Sequence, residues 1–278
     1  MGLSWEEVER YRDRKFRRRP ALAVRGARSA MSFIEQAGFA TAFSAHEHLP
    51  CLWVAVCGRR NPRMPRHTHS DYAIGLTWEL KDRLPDERQV FYARLLHGKP
   101  SLISLEFLPY FYRVFGPRDA EGTARPLGLT EQGILDWLGT HPPQPTWQLR
   151  VHADFRGRLP KARFGKAMAR LQELLYVMKT ETVYEPKFTY FWGLVERAYP
   201  REVRRARRLS AEAALEKILR KYFETALCAR RRDLLSIFRG VEGPRLDDAL
   251  QGLVKAKALF SGVRITGKEG LWYVGRMV

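Results

Sequence analysis

The sequence predicts a mainly α-helical protein with small β-hairpins, built of tandem helix-turn-helix-like units. Three observations carry this expectation. A helix–helix–helix–β order appears twice, apolar residues recur three and four apart within each expected helix, and 45% hydrophobic content supports folded cores despite a formal net charge of +19.

In the earlier copy, Thr130 is expected to cap a helix carrying Ile134, Leu135 and Leu138. The run His141-Pro142-Pro143-Gln144-Pro145 breaks that helix, and Thr146 is expected to cap a second one through Trp147, Leu149 and Val151. A third helix over residues 161–175 buries Phe164, Ala167, Met168, Leu171, Leu174 and Leu175, and residues 176–184 read as extended. Further on, Ser210 caps a helix whose apolar face is Leu215, Ile218, Leu219, Tyr222 and Ala226. The clearer copy follows, with a short helix over residues 230–239 and a longer one over 244–259. Leu246, Ala249, Leu250, Leu253, Val254 and Ala258 form the buried stripe of the longer helix, and Pro244 suits its first turn. Residues 263–265 and 271–274 flank Thr266-Gly267-Lys268-Glu269-Gly270 as a hairpin. That order is the pattern of a winged helix. The expected division is residues 1–120, 121–200 and 201–278, in a monomer without a parallel sheet.

Charge is clustered. Residues 10–28 hold nine Lys/Arg against one Asp, and residues 197–232 hold twelve against four acids. Stripes of this kind neutralise phosphates, so double-stranded DNA is the expected partner, with Arg17, Arg18, Arg19, Arg25, Arg28, Arg204, Arg205 and Arg208 as its contacts. Three cysteines, Cys51, Cys57 and Cys228, lack the number and spacing of a disulfide framework or zinc site. No apolar run is long enough to span a bilayer, and Trp5-Glu6-Glu7 is unlike a signal peptide, so a cytoplasmic location without membrane contact is expected.

The segment 51–115 interleaves titratable and aromatic residues in the manner of a pocket lining. Its carboxylates are Asp71, Glu79, Asp82 and Glu106, with His67 and His69 as acids or base readers. Tyr72, Trp78, Tyr110 and Tyr112 are the expected stacking groups. A buried, hydrogen-bonded structural role is the alternative for each. His67-x-His69-x-Asp71 is weak as a metal motif, because two histidines with one residue between them point to opposite sides if the segment is extended, and no further ligand cluster accompanies them. No metal or cofactor is expected.

Residues 30–56, residues 65–82 and the tandem winged-helix tail resemble the AlkZ/YcaQ-type DNA glycosylases, and more closely their shorter AlkZ-related branch. The resemblance implies three winged-helix units around a DNA-sized concave surface and excision of modified bases, either in repair of bulky or alkylated DNA or against modified phage DNA. It also implies a Gln-apolar-Gln or Gln-apolar-Asp motif that places the attacking water just after the glycine following the first helix. Aligned on Gly38, those positions are Thr41 and Phe43 here, and Gln36 is offset. Water-driven excision passes through an oxocarbenium-like sugar, which a carboxylate stabilises, and the base must leave the stack for a pocket. Asp71, flanked by Ser70 and Tyr72, is the favoured carboxylate, with His69 nearby. A transcription regulator and a metal-dependent nuclease are the competing expectations; the first needs no titratable pocket, and the second needs carboxylates clustered around metal ions.

Overall fold

The computed structural model describes residues 2–66, 70–153 and 160–277. A short strand β1 (Leu3–Ser4) leads into α1 (Trp5–Lys15), whose start is fixed by Ser4 and Glu7 in a reciprocal capping box. Next come α2 (Ala27–Ala37), β2 (Phe39–Thr41), α3 (Leu52–Cys57), α4 (Tyr72–Asp86), β3 (Val90–Arg94), β4 (Pro100–Ser104) and α5 (Leu108–Phe115). They are followed by α6 (Leu129–Thr140), β5 (Gln144–Pro145), α7 (Thr146–His152), α8 (Lys161–Glu173), β6 (Val177–Val183), β7 (Thr189–Leu194), α9 (Val195–Ala198) and α10 (Pro200–Ala206). The last group is α11 (Ala211–Ala226), β8 (Cys228–Ala229), α12 (Arg231–Ile237), α13 (Gly243–Lys255), β9 (Leu259–Val263), β10 (Ile265–Thr266) and β11 (Trp272–Gly275).

One order, helix–strand–helix–helix–strand–strand, therefore occurs three times among the described residues, starting at α2, α6 and α11. Each copy closes the same three-stranded antiparallel sheet, with its last strand in the middle: β2-β4-β3, β5-β7-β6 and β8-β11-β9. Periodicity does not display the first copy, which is expected only from the family resemblance, because α3 has six residues and β2 three, too few to show a period.

Several local expectations need correction. The C-terminal hairpin begins at Leu259, earlier than expected; Val263 does face Trp272, but Ile265 leaves the hairpin and pairs with Leu3. That β1–β10 pairing is parallel, contrary to the expectation of none, and it ties the chain's two ends together. Thr130 does not cap α6: the cap position is Gly128 and Thr130 is buried inside the first turn. Thr146 is likewise inside α7; its hydroxyl donates to the Tyr190 carbonyl at 3.1 Å and accepts from Trp192 Nε1 at 2.8 Å. Trp147 and Val151 are more than 60% exposed rather than packed. Ser210 does cap α11, accepting from the Ala213 amide at 3.1 Å.

The largest core joins the first and third copies. Phe39, Phe91 and Ile103 meet Phe107, just before α5, Phe111 of α5, and Ile218, Leu219 and Tyr222 of α11 in one buried cluster. Gly38 permits the junction: its φ of +79° ends α2, and a Cβ there would lie 2.8 Å from Lys221 Cγ of α11. The middle copy has its own core, centred on Leu138, Leu149, Phe164, Leu171 and Trp192.

Candidate functional site

A polar cleft opens where β2 ends. From Thr41 the chain turns out and back, held by Thr41 N to Pro50 O (2.9 Å), Leu49 N to His46 O (3.0 Å) and Trp53 N to Ala42 O (3.1 Å). This loop carries Ser44, His46, Glu47 and His48. With Trp5, Glu9, Phe16 and Arg18 on one side and Lys268 on another, it walls a cleft of about 640 Å³.

Two histidines of the loop have assigned tautomers. Arg12 Nη1 lies 2.8 Å from His48 Nδ1, and a guanidinium only donates, so that nitrogen offers its lone pair and the proton sits on Nε2. His48 is buried against Trp5 and Trp272, with Glu47 and Asp233 carboxylates 3.4 and 3.7 Å from Nε2. Burial, reinforced by Arg12, lowers its pKa to about 2, so it is neutral. His46 is also pushed below its ordinary value, by burial first; its Nδ1 accepts from the His48 amide at 3.2 Å, which leaves its proton on Nε2. Glu9 is engaged by Arg18 at 2.9 Å, with Arg12 and Arg60 at 3.7 and 3.8 Å. Glu47 is the exposed carboxylate of the cleft, its side chain 67% accessible.

The titratable and aromatic residues singled out in segment 51–115 do not converge on one pocket. His67 and His69 lie outside the described residues. Asp71 is the N-cap of α4, accepting from the Ile74 amide at 2.9 Å, and shares a shallow groove with Arg25, Tyr72, Glu79 and Arg83. Glu79 pairs with Arg83 at 2.8 Å, and Trp78 rests on Phe43 with centroids 5.4 Å apart. Asp82 points the other way along α4. It is buried between Lys81 and Lys179, with Tyr184 Oη donating to it at 2.8 Å. Burial alone would raise its carboxyl, but the two lysines outweigh burial and hold it below its ordinary value. Glu106 is exposed before α5, Tyr110 accepts a bond from Arg205 at 2.9 Å, and Tyr112 lines a separate cavity of about 430 Å³ with Tyr176, Glu196, Arg118 and Arg207. Burial pushes the Tyr112 hydroxyl up to about 12.

The basic stripes also divide. Arg17 is tied to Ser29, Ser32 and Gln36, and Arg18 is nearly buried on Phe16 with its charge paired to Glu9, so neither is a free surface cation. Arg19, Arg25, Arg28, Arg204, Arg205 and Arg208 are exposed.

What sequence reading missed is the loop 42–50 itself, whose only available signal was three titratable residues in a row, His46, Glu47 and His48. The two positions that the resemblance assigns to the water-placing pair are also closed here. Thr41 is fully buried beside the Pro50 carbonyl, 3.4 Å from its hydroxyl, and Phe43 is packed on Trp78.

A family model described as "AlkZ related" matches residues 24–239. Among solved structures, the DNA glycosylase AlkZ of Streptomyces sahachiroi is similar in fold, with a TM-score of 0.61 and 13% identity over 99% of this chain and 70% of that one. No curated protein sequence matches the chain.

Proposed function

Because the chain belongs to the AlkZ-related family, we propose that it is a DNA glycosylase that hydrolyses the N-glycosidic bond of a modified base. In this reading the three repeated groups are winged-helix units, divided as residues 1–120, 121–200 and 201–278, and a monomer of them grips double-stranded DNA. The observation that carries the reading is the cleft at the end of β2, which combines an exposed carboxylate, a neutral imidazole and an indole in one space large enough to admit an extrahelical nucleotide.

Each group has a task in the chemistry. The extrahelical base stacks on Trp5, and the His46 Nε2–H donates to the departing base. Glu47 faces the sugar as positive charge develops at C1′ and orients the water that completes hydrolysis; a fixed carboxylate stabilises that cation more than the neutral ground state. Lys268 and the exposed arginines hold phosphates. Asp71 is the rival carboxylate, exposed to a groove rather than a cleft.

The test is a panel of duplexes bearing bulky, alkylated or phage-type modified bases, scored for abasic sites. Glu47→Gln is expected to reduce excision by at least about a hundred-fold with duplex binding within about two-fold, and Asp71→Asn to leave it nearly unchanged. The reverse pattern transfers the role to Asp71. Excision is expected to persist in chelator, because the groups assigned to it are a carboxylate and an imidazole; loss on chelation with rescue by a divalent ion supports a nuclease.

A second reading, a DNA-binding protein or transcription regulator without catalysis, is favoured by one observation: the buried Thr41 and packed Phe43 stand where relatives are expected to place water. Tight duplex binding with no abasic product from any panel member would select it.

A further inference from the structure

The middle unit carries an aromatic groove that neither its core nor the cleft at β2 uses. It lies between α7, α8 and the β6–β7 hairpin, encloses about 760 Å³, and is walled by Trp147, Phe164, Met168, Phe188, Phe191 and Trp192. Phe164, Met168 and Trp192 also belong to the unit's core, but Trp147 and Phe188 are 63% and 51% exposed and lie outside it. Large exposed rings gathered around one groove mark a contact surface rather than ordinary scatter. The hairpin extends the aromatic face, with ring centroids 5.5 Å apart for Tyr184–Phe188 and 5.0 Å for Phe188–Tyr190.

The rim decides what fits. Among the described residues lining the groove, the charged ones are Arg150, Lys161 and Lys187, all exposed cations. On the other side of α8 from Lys161, Phe164 and Met168, the residues Arg163, Lys166 and Arg170 form a separate exposed basic face. An apolar peptide would cover the rings but leave three cations without countercharge. A fully paired duplex would supply phosphates but keep its base faces hidden. A strand with unpaired bases brings both, a π-face and a phosphate at each nucleotide.

We propose that this groove binds one or two unpaired nucleotides of a DNA strand, stacked on Trp147 and Phe188 with phosphates on Arg150, Lys161 and Lys187. The proposal rests on the DNA-binding half of the functional reading and not on excision. It adds a preference for DNA that is locally open, as at a bulge or a strand end, over uniform duplex.

The experiment measures affinity of the full chain for three labelled probes: a paired duplex, the same duplex with a three-nucleotide bulge, and the single strand. Trp147→Ala/Phe188→Ala alters exposed side chains, and thermal melting checks that the fold is kept. Wild type is expected to favour the bulged probe, and the double variant to lose about ten-fold on the bulged and single-stranded probes while binding duplex unchanged. Arg204→Ala/Arg205→Ala/Arg208→Ala serves as control and should weaken the two duplex-containing probes alike. Equal affinities of wild type and double variant for all probes overturn the proposal. So does a variant that changes only self-association in sedimentation, which assigns the groove to a second copy of the chain. A protein that releases no base yet keeps the Trp147-dependent preference supports the groove and overturns excision alone.

Discussion

Asp71 and Asp82 bracket one helix, and their surroundings give them different sensitivities. Asp82 pairs with the buried Lys81 and shares the buried Lys179 with Asp86, so Asp82→Asn leaves Lys81 without its carboxylate and should cost about 3–5 kcal/mol in chemical denaturation. Asp71→Asn keeps an oxygen for the Ile74 amide, and asparagine caps about as well as aspartate, so its expected cost is under about 0.5 kcal/mol. Equal losses for the two variants would contradict this contrast. In the sequence both looked like acids of one pocket, because the decisive partner of Asp82, Lys179, is 97 positions away. His48 makes a pH-dependent prediction. Its folded pKa is far below the ordinary 6.5, so the unfolded chain takes up a proton that the folded one refuses. The stability it confers is complete above about pH 6.5 and is lost progressively as pH falls, by about 1.4 kcal/mol per pH unit. His46 shifts in the same direction, and Asp233 adds its own loss only below the ordinary carboxylate range. His48→Gln retains an acceptor for Arg12 without a titrating ring, and the drop in stability between pH 7 and pH 5 should shrink by about 2 kcal/mol. An unchanged drop would remove His48 as its source.

At the scale of elements, helices with a full apolar stripe were legible and short strands were not. The stripe of α11 buries every residue its spacing assigns to the core, and those of α8 and α13 do so except at their C-terminal ends, where Leu174, Val254 and Ala258 are only half-buried. Caps were less legible. Ser210, Thr130 and Thr146 look alike in sequence, but Gly128 and Pro145 already occupy the cap positions before the latter two, and the Thr146 hydroxyl is engaged by Tyr190 and Trp192. The basic stripes could be counted but not oriented: α1 turns Arg12 inward, and the turn after it folds Arg17 and Arg18 back onto protein, whereas α10 and the turn after it present Arg204, Arg205 and Arg208 to solvent. A salt titration of duplex binding should therefore separate the two stripes. Each arginine of the second that contacts a phosphate should flatten the log–log slope by about 0.9 when replaced by alanine, and Arg18→Ala should leave the slope unchanged while lowering stability. A reduced slope for Arg18→Ala would place that cation on the duplex after all.

At the scale of the whole molecule, the first and third of the repeated units are joined by contacts no local pattern announces. The parallel β1–β10 pair, the core shared by α5 and α11, and Arg12 all join segments distant in sequence. Arg12 is fully buried and donates to Ala226 O through Nε at 2.9 Å, to Cys228 O through Nη2 at 2.9 Å and to His48 Nδ1. One side chain thus ties the N-terminal helix to the cleft loop of the first unit and to the junction of α11 and β8 in the third. Arg12→Met fills much of the same space but leaves those three acceptors without their donor, at about 1–3 kcal/mol for each one that finds no other. It also removes the cation 5.0 Å from the Trp5 ring that walls the cleft. The expected result is a melting temperature lower by several degrees, with excision reduced beyond the loss of folded protein because the cleft loop loses its anchor. Arg12→Lys, which keeps the charge but not the planar fork, should fall between the two. A methionine variant that melts within a degree of wild type would mean that the apolar core alone holds the units together, and that the cleft owes its shape to the loop's own backbone bonds.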